Sequence, residues 1–283
     1  MNPVAAHCRG TSRPGARRAL RRVTGPRLLP WALAVAAAAA PASPAPAGSG
    51  APPDTLALHV VRRIDAAERV ASSHALLRQV VTAPGGEERT LEMEAWTRDH
   101  NQRQLMVYTA PQRVAGDRIL MLDDGDDIWF YTPRTDRIRH LASHARRQRV
   151  QGSDFAYEDL AGGRLEDDYT FTLTGVEEQE GVPCYRLELV PTASGPHYSR
   201  LVLWADRDRF LTRRIDYCED GEVIKRLTTT DLEEVGGQWW PMRMVMENLE
   251  EGGRTAMETE KIEFGLGLPD RLFTTGALRR PVP

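Results

Sequence analysis

Beyond residue 70, apolar and polar residues alternate along short stretches, and turn residues separate these stretches every ten or so positions. A period of two is typical of β-strands that bury one face, and pairs such as Asp220-Gly221 and Gly236-Gly237 are typical of hairpin connections. The pattern predicts thirteen strands: Leu76–Thr82, Thr90–Arg98, Arg103–Thr109, Ile119–Leu122, Ile128–Thr132, Asp136–His140, Tyr169–Val176, Val182–Pro191, His197–Asp208, Leu211–Asp220, Val223–Glu234, Gln238–Glu250 and Arg254–Phe264.

Helical signals are few. Asp54 is a favourable N-cap for a helix from Thr55 to about Val70, whose apolar face would consist of Leu58, Val61, Ile64 and Ala67. A second, short helical turn is predicted over Phe155–Leu160. This balance predicts a mainly β protein, in which a strongly curved antiparallel sheet is covered on its concave side by an N-terminal helix and a short mid-chain helix.

The N-terminus has the composition of a secretory signal peptide. Residues 1–47 contain seven Arg and no acidic residue, an apolar stretch runs over Leu28–Ala40, and Ala45-Pro46-Ala47 or Ala40-Pro41-Ala42 offers a cleavage site. The apolar stretch is shorter than the ~20 residues that a membrane span needs. We expect a signal peptide over 1–47, a flexible Pro/Gly-rich segment over 48–53 and a single domain over 54–283. The alternative is a disordered leader that the mature chain keeps.

Removal of residues 1–47 would change the formal charge of the chain from −3 to −10. An acidic balance argues against nucleic acid as a partner. No Cys follows the apolar stretch as a lipid attachment site, so the expected location is the periplasm, without a lipid anchor. No later segment is apolar enough to cross a membrane.

Two cysteines remain after residue 47, Cys184 and Cys218. An oxidising compartment permits a bridge between them, but they fall on the first and third strands of a predicted meander. The middle strand would separate them by two inter-strand spacings of ~4.8 Å each, which exceeds the ~7 Å between Cα atoms that a disulfide tolerates. We therefore expect two free thiols, unless the strand order departs from the simple meander.

One strand has a row of large, flexible apolar side chains. Alternation places Trp240, Met242, Met244 and Met246 on the same face. Methionine adapts to ligands of varied shape, so this face is a candidate lining for an apolar cavity, although ordinary core packing is the alternative. Further candidates for the lining are Trp96, Met106, Met121, Trp129, Tyr131 and Trp204.

A basic stretch lies in the middle of this acidic chain. Its arginines are Arg134, Arg137, Arg139, Arg146, Arg147 and Arg149. Such a patch could contact phospholipid headgroups or an acidic partner at a membrane. The alternative is a solvated loop whose charge nearby acids such as Glu158 and Asp159 balance.

Signals of catalysis are weak. The chain has no nucleophile-elbow motif, no zinc-protease motif, no phosphate-binding glycine loop and no C-x-x-C pair. The histidines are scattered, and acidic pairs such as Asp123-Asp124 fall in turns, where solvated carboxylates are common. We expect no enzymatic activity, no cofactor and no metal, with a motif-free hydrolase as the remaining alternative.

The block from Ile119 to Leu160 resembles the LolA-like outer-membrane lipoprotein-sorting proteins. The similar residues are Trp129, Tyr131 and Pro133, followed by the segment from Gln151 to Leu160. Within that segment the family motif comprises Gly152, Ser153, Asp154, Phe155, Tyr157, Glu158, Asp159 and Leu160. Ser153 or Asp154 is placed to cap the following helical turn. We interpret these residues as markers of the fold and not as catalysts.

Further marks of the resemblance are Pro111, Gly116-Asp117, Trp240-Pro241 and the C-terminal stretch from Leu268 to Phe273. The resemblance implies an unclosed β-barrel of the LolA/LolB type, with helices as a lid over an apolar cavity that holds acyl chains.

The function that this resemblance implies is a periplasmic carrier of lipid or lipoprotein acyl chains between the inner and outer membranes. Its partners would be the cargo, an inner-membrane exporter or outer-membrane acceptor, and the membrane surface in transient contact. The alternatives are a periplasmic lipid or lipoprotein sensor that regulates an envelope partner, or an accessory subunit of a membrane exporter. Related sensors usually have an additional C-terminal domain, whereas only Thr274–Pro283 follow Phe273 here.

Overall fold

The computed structural model describes residues 55–161, 163–192 and 195–282. The predicted signal peptide over 1–47 and the segment 48–53 lie outside these residues. All thirteen predicted strands are confirmed, with ends that shift by a few residues. They are β1 Ser72–Thr82, β2 Glu88–Arg98, β3 Arg103–Ala110, β4 Arg118–Leu122, β5 Asp127–Thr132, β6 Arg137–His140, β7 Tyr169–Gln179, β8 Val182–Pro191, β9 Arg200–Asp206, β10 Thr212–Glu219, β11 Glu222–Val235, β12 Gln238–Asn248 and β13 Gly253–Phe264.

The thirteen strands form one antiparallel sheet in the order β6-β5-β4-β3-β2-β1-β13-β12-β11-β10-β9-β8-β7. Every neighbour in this order is also a neighbour along the chain, except for the pair of β1 with β13. That pair joins an N-terminal meander to a C-terminal one. Since β6 and β7 are edge strands and do not pair with each other, the sheet is not closed, which confirms the predicted unclosed β-barrel.

In the part of the chain that the structure describes, three α-helices accompany the sheet: α1 Thr55–Glu68, α2 Tyr157–Ala161 and α3 Leu165–Asp168. Helix α1 ends two residues before the predicted Val70. Its buried apolar residues are Ala57, Val60, Val61 and Ile64, so the buried face is rotated from the predicted one, and Leu58 and Ala67 are only half-buried. Helix α2 begins inside the predicted turn over Phe155–Leu160 and ends one residue beyond it, whereas α3 was not predicted.

The two faces of the sheet pack against different parts of the chain. The main core joins α1 and the family motif to one face of the sheet. On the other face, the C-terminal residues Leu272, Phe273 and Leu278 pack with Trp96 and Leu105. The C-terminal stretch therefore covers the face of the N-terminal meander that points away from the helices.

Strand order keeps Cys184 and Cys218 apart. Cys184 on β8 pairs with Asp206 and Cys218 on β10 pairs with Arg200, at opposite ends of the intervening β9. Cys184 is a buried free thiol, so no bridge joins the two residues. The expectation of a free thiol at Cys218 was wrong, since Cys218 is disulfide-bonded.

Candidate functional site

A cavity of about 380 Å³ lies on the concave side of the sheet, where the helices cover it. Its walls come from strands in both meanders, from α1 and from the segment around α2 and α3. Most of the lining is apolar. The apolar lining residues are Ala75, Leu77, Ala95, Met106, Phe155, Leu160, Leu165, Leu201, Leu203, Leu211, Ile215, Leu227, Trp240, Pro241, Met244, Met257 and Ile262, and Tyr169, Tyr198 and Tyr217 add aromatic rings.

Three of the ten predicted lining residues line this cavity: Met106, Trp240 and Met244. Met121 and Met246 belong to the same hydrophobic core but do not reach the cavity wall. Of the row that alternation predicts on β12, Trp240 and Met244 therefore line the cavity, whereas Met242 and Met246 do not.

Met242 departs from the predicted row at a point where the ladder between β11 and β12 lacks one pair. The register pairs Thr230 with Arg243 and Leu232 with Pro241, and it leaves Asp231 and Met242 unpaired. Asp231 has a φ of 54°, outside the range of an extended strand. Met242 is half-buried and does not line the cavity.

The other four aromatic candidates pack outside the cavity. Trp96, Trp129 and Tyr131 belong to the cluster that the C-terminal stretch covers, and Trp204 packs with Cys184 in a third cluster. The sequence could not show this, because alternation tells which residues share a face but not which face is concave. The neighbour of Trp96 on β2, Ala95, lines the cavity instead.

The largest omission concerns β1, whose small and apolar residues were not among the candidates. Ser73, Ala75 and Leu77 follow each other at a spacing of two, and all three line the cavity. The alternation that predicted the strand also placed these three residues on one face. Small and apolar residues are common in ordinary strands, however, and do not by themselves indicate a ligand site.

The family motif anchors one wall of the cavity to the sheet. Asp154 is completely buried, and its backbone N–H donates to Thr255 Oγ1 at 2.9 Å. The Thr255 hydroxyl donates back to Asp154 Oδ2 at 2.7 Å, and Arg149 forms an ion pair with Oδ1. The next residue, Phe155, lines the cavity. The motif therefore fixes Phe155 against β13.

The expected helix cap by Ser153 or Asp154 was wrong. Helix α2 begins only at Tyr157, and Asp154 bonds to β13 as described above. The hydroxyl of Ser153 contacts the carbonyl oxygen of Phe155 at 3.5 Å. Asp159 instead accepts the backbone N–H of Ala156 at 2.7 Å.

Gly152 has a close-packed position in this motif. Its φ is 69°, and a Cβ atom there would lie 2.8 Å from Nη2 of Arg89. That same Nη2 donates to the carbonyl oxygen of Gln151 at 2.8 Å. The side chain of Gln151 donates to Asp117 at 2.9 Å, which joins two of the segments that carry the family resemblance. Only glycine fits this conformation and this approach.

Behind the motif, a buried charged pair lies at the cavity wall. Lys225 donates to Asp159 Oδ2 at 3.0 Å, and Tyr198 donates to Oδ1 at 2.7 Å. The pKa of Tyr198 is raised by burial and by the charge of Asp159. Glu158 accepts from the His197 ring at 3.0 Å. Their partners within the protein indicate that Glu158 and Asp159 position the wall of the cavity.

Helix α1 and helix α3 form the other side of the cavity. The carboxylate of Asp65 accepts the backbone N–H groups of Leu165 and Glu166 at 3.0 and 3.3 Å, at the start of α3. Burial nevertheless raises the pKa of Asp65. Burial also raises the pKa of Glu68, which accepts the backbone N–H of Thr212 at 2.6 Å. Two carboxylates on α1 thus tie this helix to α3 and to β10.

Asp168 is a further carboxylate at the cavity. Burial and the nearby charge of Asp126 raise its pKa to about 6. Asp168 therefore takes up a proton at mildly acidic pH.

The structure separates the six predicted docking arginines into two groups. Arg146 bonds to Asp126, and Arg149 bonds to Asp154 and Glu251, so both have structural partners. Arg139 lies over the ring of Phe130. Arg134, Arg137 and Arg147 are exposed and form no ion pair within the described residues. Arg139 is exposed as well, but in the described part of the chain Arg134, Arg137 and Arg147 are the exposed members with neither an ion pair nor a ring contact.

The described residues contain neither a candidate metal site nor a membrane-spanning helix. Within 55–161, 163–192 and 195–282, no group of three His, Cys, Asp or Glu side chains could hold a metal ion. The helices of that same part of the chain are all too short or too polar to cross a membrane. The expectation of no enzymatic activity stays a prediction.

Three solved structures share this fold. A domain described as an outer membrane lipoprotein-sorting protein from Vibrio parahaemolyticus has a TM-score of 0.75 and 24% identity, over 80% of this chain and 99% of that one. A DUF1329 family protein from Desulfovibrio piger has a TM-score of 0.73 and 26% identity, over 78% and 97%. A LolA superfamily protein from Nitrosomonas europaea has a TM-score of 0.66 and 22% identity, over 78% and 98%.

A search of curated proteins found no match. A family model described as "Uncharacterized protein" matches residues 100–280, which is more than half of the chain. The structural neighbours agree with the resemblance that the motif from Gln151 to Leu160 carries. The chain therefore belongs to the family that this model describes, and its fold is that of the LolA-like proteins.

Proposed function

We propose that this protein is a periplasmic carrier that binds the acyl chains of a lipid or lipoprotein in the cavity beneath α1. The observation that carries this proposal is the apolar cavity between the concave face of the sheet and the helices. Its volume of about 380 Å³ falls within the range of small-molecule sites in proteins. The solved neighbours described as lipoprotein-sorting and LolA superfamily proteins share the fold and agree with this function at a coarse level.

Burial of an acyl chain supplies enough free energy for such a carrier. Each methylene group that leaves water contributes about 0.8 kcal/mol, so ten of them contribute roughly 8 kcal/mol. Part of this is offset by the loss of translational and rotational freedom on binding. A single chain can therefore be held tightly enough for transport and loosely enough for release.

Delivery requires partners that distinguish the loaded from the empty protein. A ligand shifts a conformational equilibrium only through its different affinities for the two states. An outer-membrane acceptor would have to prefer the state in which α1 and α3 have moved from the cavity. An inner-membrane exporter is the corresponding donor. Transient membrane contact would involve Arg134, Arg137 and Arg147, whose charges have no ion-pair partner within the described residues.

The first test is native mass spectrometry of the protein purified from periplasm, with extraction and identification of any bound lipid. We expect a stoichiometric acyl lipid or lipoprotein. An empty protein that also fails to bind a fluorescent acyl probe would contradict the proposal.

A pair of variants tests the cavity itself. Met244 lines the cavity and Met242, two residues earlier on β12, does not. Met244→Arg should abolish binding of the acyl probe, because a guanidinium in an apolar site without a partner is strongly disfavoured. Met242→Arg introduces the same charge on the same strand and should leave most of the binding intact.

Both variants are first compared with the wild type by circular dichroism, so that loss of binding is not confused with loss of fold. Unchanged probe binding by a folded Met244→Arg protein would show that this cavity is not the site. Equal loss in both variants would show that the effect comes from the strand and not from the cavity.

A further inference from the structure

Gln79 lies on the concave face of β1, two residues beyond Leu77, which lines the cavity. The strand register pairs Gln79 with Met257 on β13, and Met257 with Met244 on β12. Both methionines line the cavity. On its other side, Gln79 pairs with Leu91 of β2, a buried core residue. Gln79 is therefore a polar residue in a row of apolar side chains at the edge of the cavity.

The carboxamide of Gln79 has no partner in the described part of the chain. The residue is completely buried, and neither Nε2 nor Oε1 makes a hydrogen bond there. Buried amides almost always have partners, because an unmade hydrogen bond in the protein interior is costly. An apolar residue of the same size would fill this position without that cost. Gln79 thus contributes nothing to packing that leucine could not.

The residues paired with Gln79 across the sheet, Leu91 and Met257, have side chains that offer its carboxamide no conventional hydrogen bond. Met257 also lines the cavity, and an unbranched methionine changes its conformation readily. A ligand in the cavity could therefore reach Gln79 by displacing one flexible side chain.

We propose that the Gln79 carboxamide binds an uncharged hydrogen-bonding group of the cargo, of the amide or ester class. This inference rests on the proposed function and adds to it the chemistry that links the acyl chain. A carboxamide both donates and accepts, so it matches an amide or ester but does not neutralise a charged group. The cavity also disfavours a free fatty-acid anion. Its lining contains the carboxyl groups of Asp65, Glu68, Glu158, Asp159 and Asp168.

The test compares two lipids of matched chain length, N-ethylhexadecanamide and hexadecyl ethyl ether. Each displaces a fluorescent acyl probe from the whole mature protein. Wild type should bind the amide about threefold to tenfold more tightly than the ether, the range expected for one neutral hydrogen bond. Gln79→Leu should lose this preference and bind the ether at least as tightly as the amide, because the amide lipid then has no hydrogen-bond partner in the apolar site. Leu91→Met, which alters packing in the same row without changing its polarity, should keep the preference.

Thermal denaturation of the empty proteins provides a second readout. Gln79→Leu should raise the melting temperature by about 2–4 °C, because it removes an unpaired buried amide. A lower melting temperature, or an amide preference that survives in Gln79→Leu, would overturn the assignment. If wild type binds both lipids equally, this inference fails while the carrier function stands. If wild type binds neither lipid, both fail.

Discussion

The buried carboxylate of the family motif allows a sharp test of how the cavity wall is held. Asp154→Ala would remove the acceptor of the Thr255 hydroxyl and the ion-pair partner of Arg149. Asp154 and Thr255 are both completely buried, so water cannot replace the lost bond at Thr255. Arg149 is 38% exposed at its side chain and keeps Glu251 and the carbonyl oxygen of Ser153 as partners. Most of the lost stability should therefore come from Thr255 and from the segment before Phe155.

The magnitude follows from these contacts. A hydrogen bond to a charged group is worth about 1.5–3 kcal/mol, and an unsatisfied buried hydroxyl adds about 1–3 kcal/mol. The ion pair with Arg149 adds little because that side chain is partly hydrated. We expect Asp154→Ala to lower the free energy of unfolding by about 3 kcal/mol.

Urea denaturation followed by tryptophan fluorescence measures this change at constant m-value. The control is Glu263→Ala, which removes a surface ion pair with Lys261 in which both side chains are about half exposed or more. That control should leave the free energy of unfolding almost unchanged. A loss of less than 1 kcal/mol in Asp154→Ala would refute the role of this carboxylate as the anchor of the motif.

Two further predictions concern pH and membrane contact. The pKa of Asp168 is about 6 in the folded protein, above the ordinary 3.8 that applies in the unfolded chain. The folded state therefore keeps its proton between these values, and stability falls as the pH rises through them. Asp168→Asn should therefore be more stable than wild type at pH 7. The gain in the free energy of unfolding should be on the order of 1 kcal/mol, because Asp168 is only partly buried. The difference in urea midpoint between the two proteins should vanish near pH 4. Replacing Arg134, Arg137 and Arg147 with Gln should weaken association with anionic vesicles by about 1 kcal/mol per charge and remove most of its salt dependence, with unchanged affinity for the acyl probe. Equal vesicle binding by this triple variant and the wild type would exclude these arginines from docking.

The strands could be predicted because their signal is local. The alternation in β8 or β12 and the turns at Asp220-Gly221 and Gly236-Gly237 depend on neighbours in sequence. The family motif is likewise a continuous segment. Helix α3 escaped prediction because it has only four residues and is capped by Asp65, one hundred positions earlier.

Only the tertiary structure decided which side of each strand faces the cavity. Alternation groups Trp240 with Met244, but only the folded structure shows that Ala95 lines the cavity while its neighbour Trp96 packs against the C-terminal stretch on the other face. It also places the carboxamide of Gln79 among apolar side chains without a partner in the described residues. Sequence fixes the two faces of a strand through its period of two, whereas the choice between them depends on the curvature of the whole sheet and on the helices that cover it.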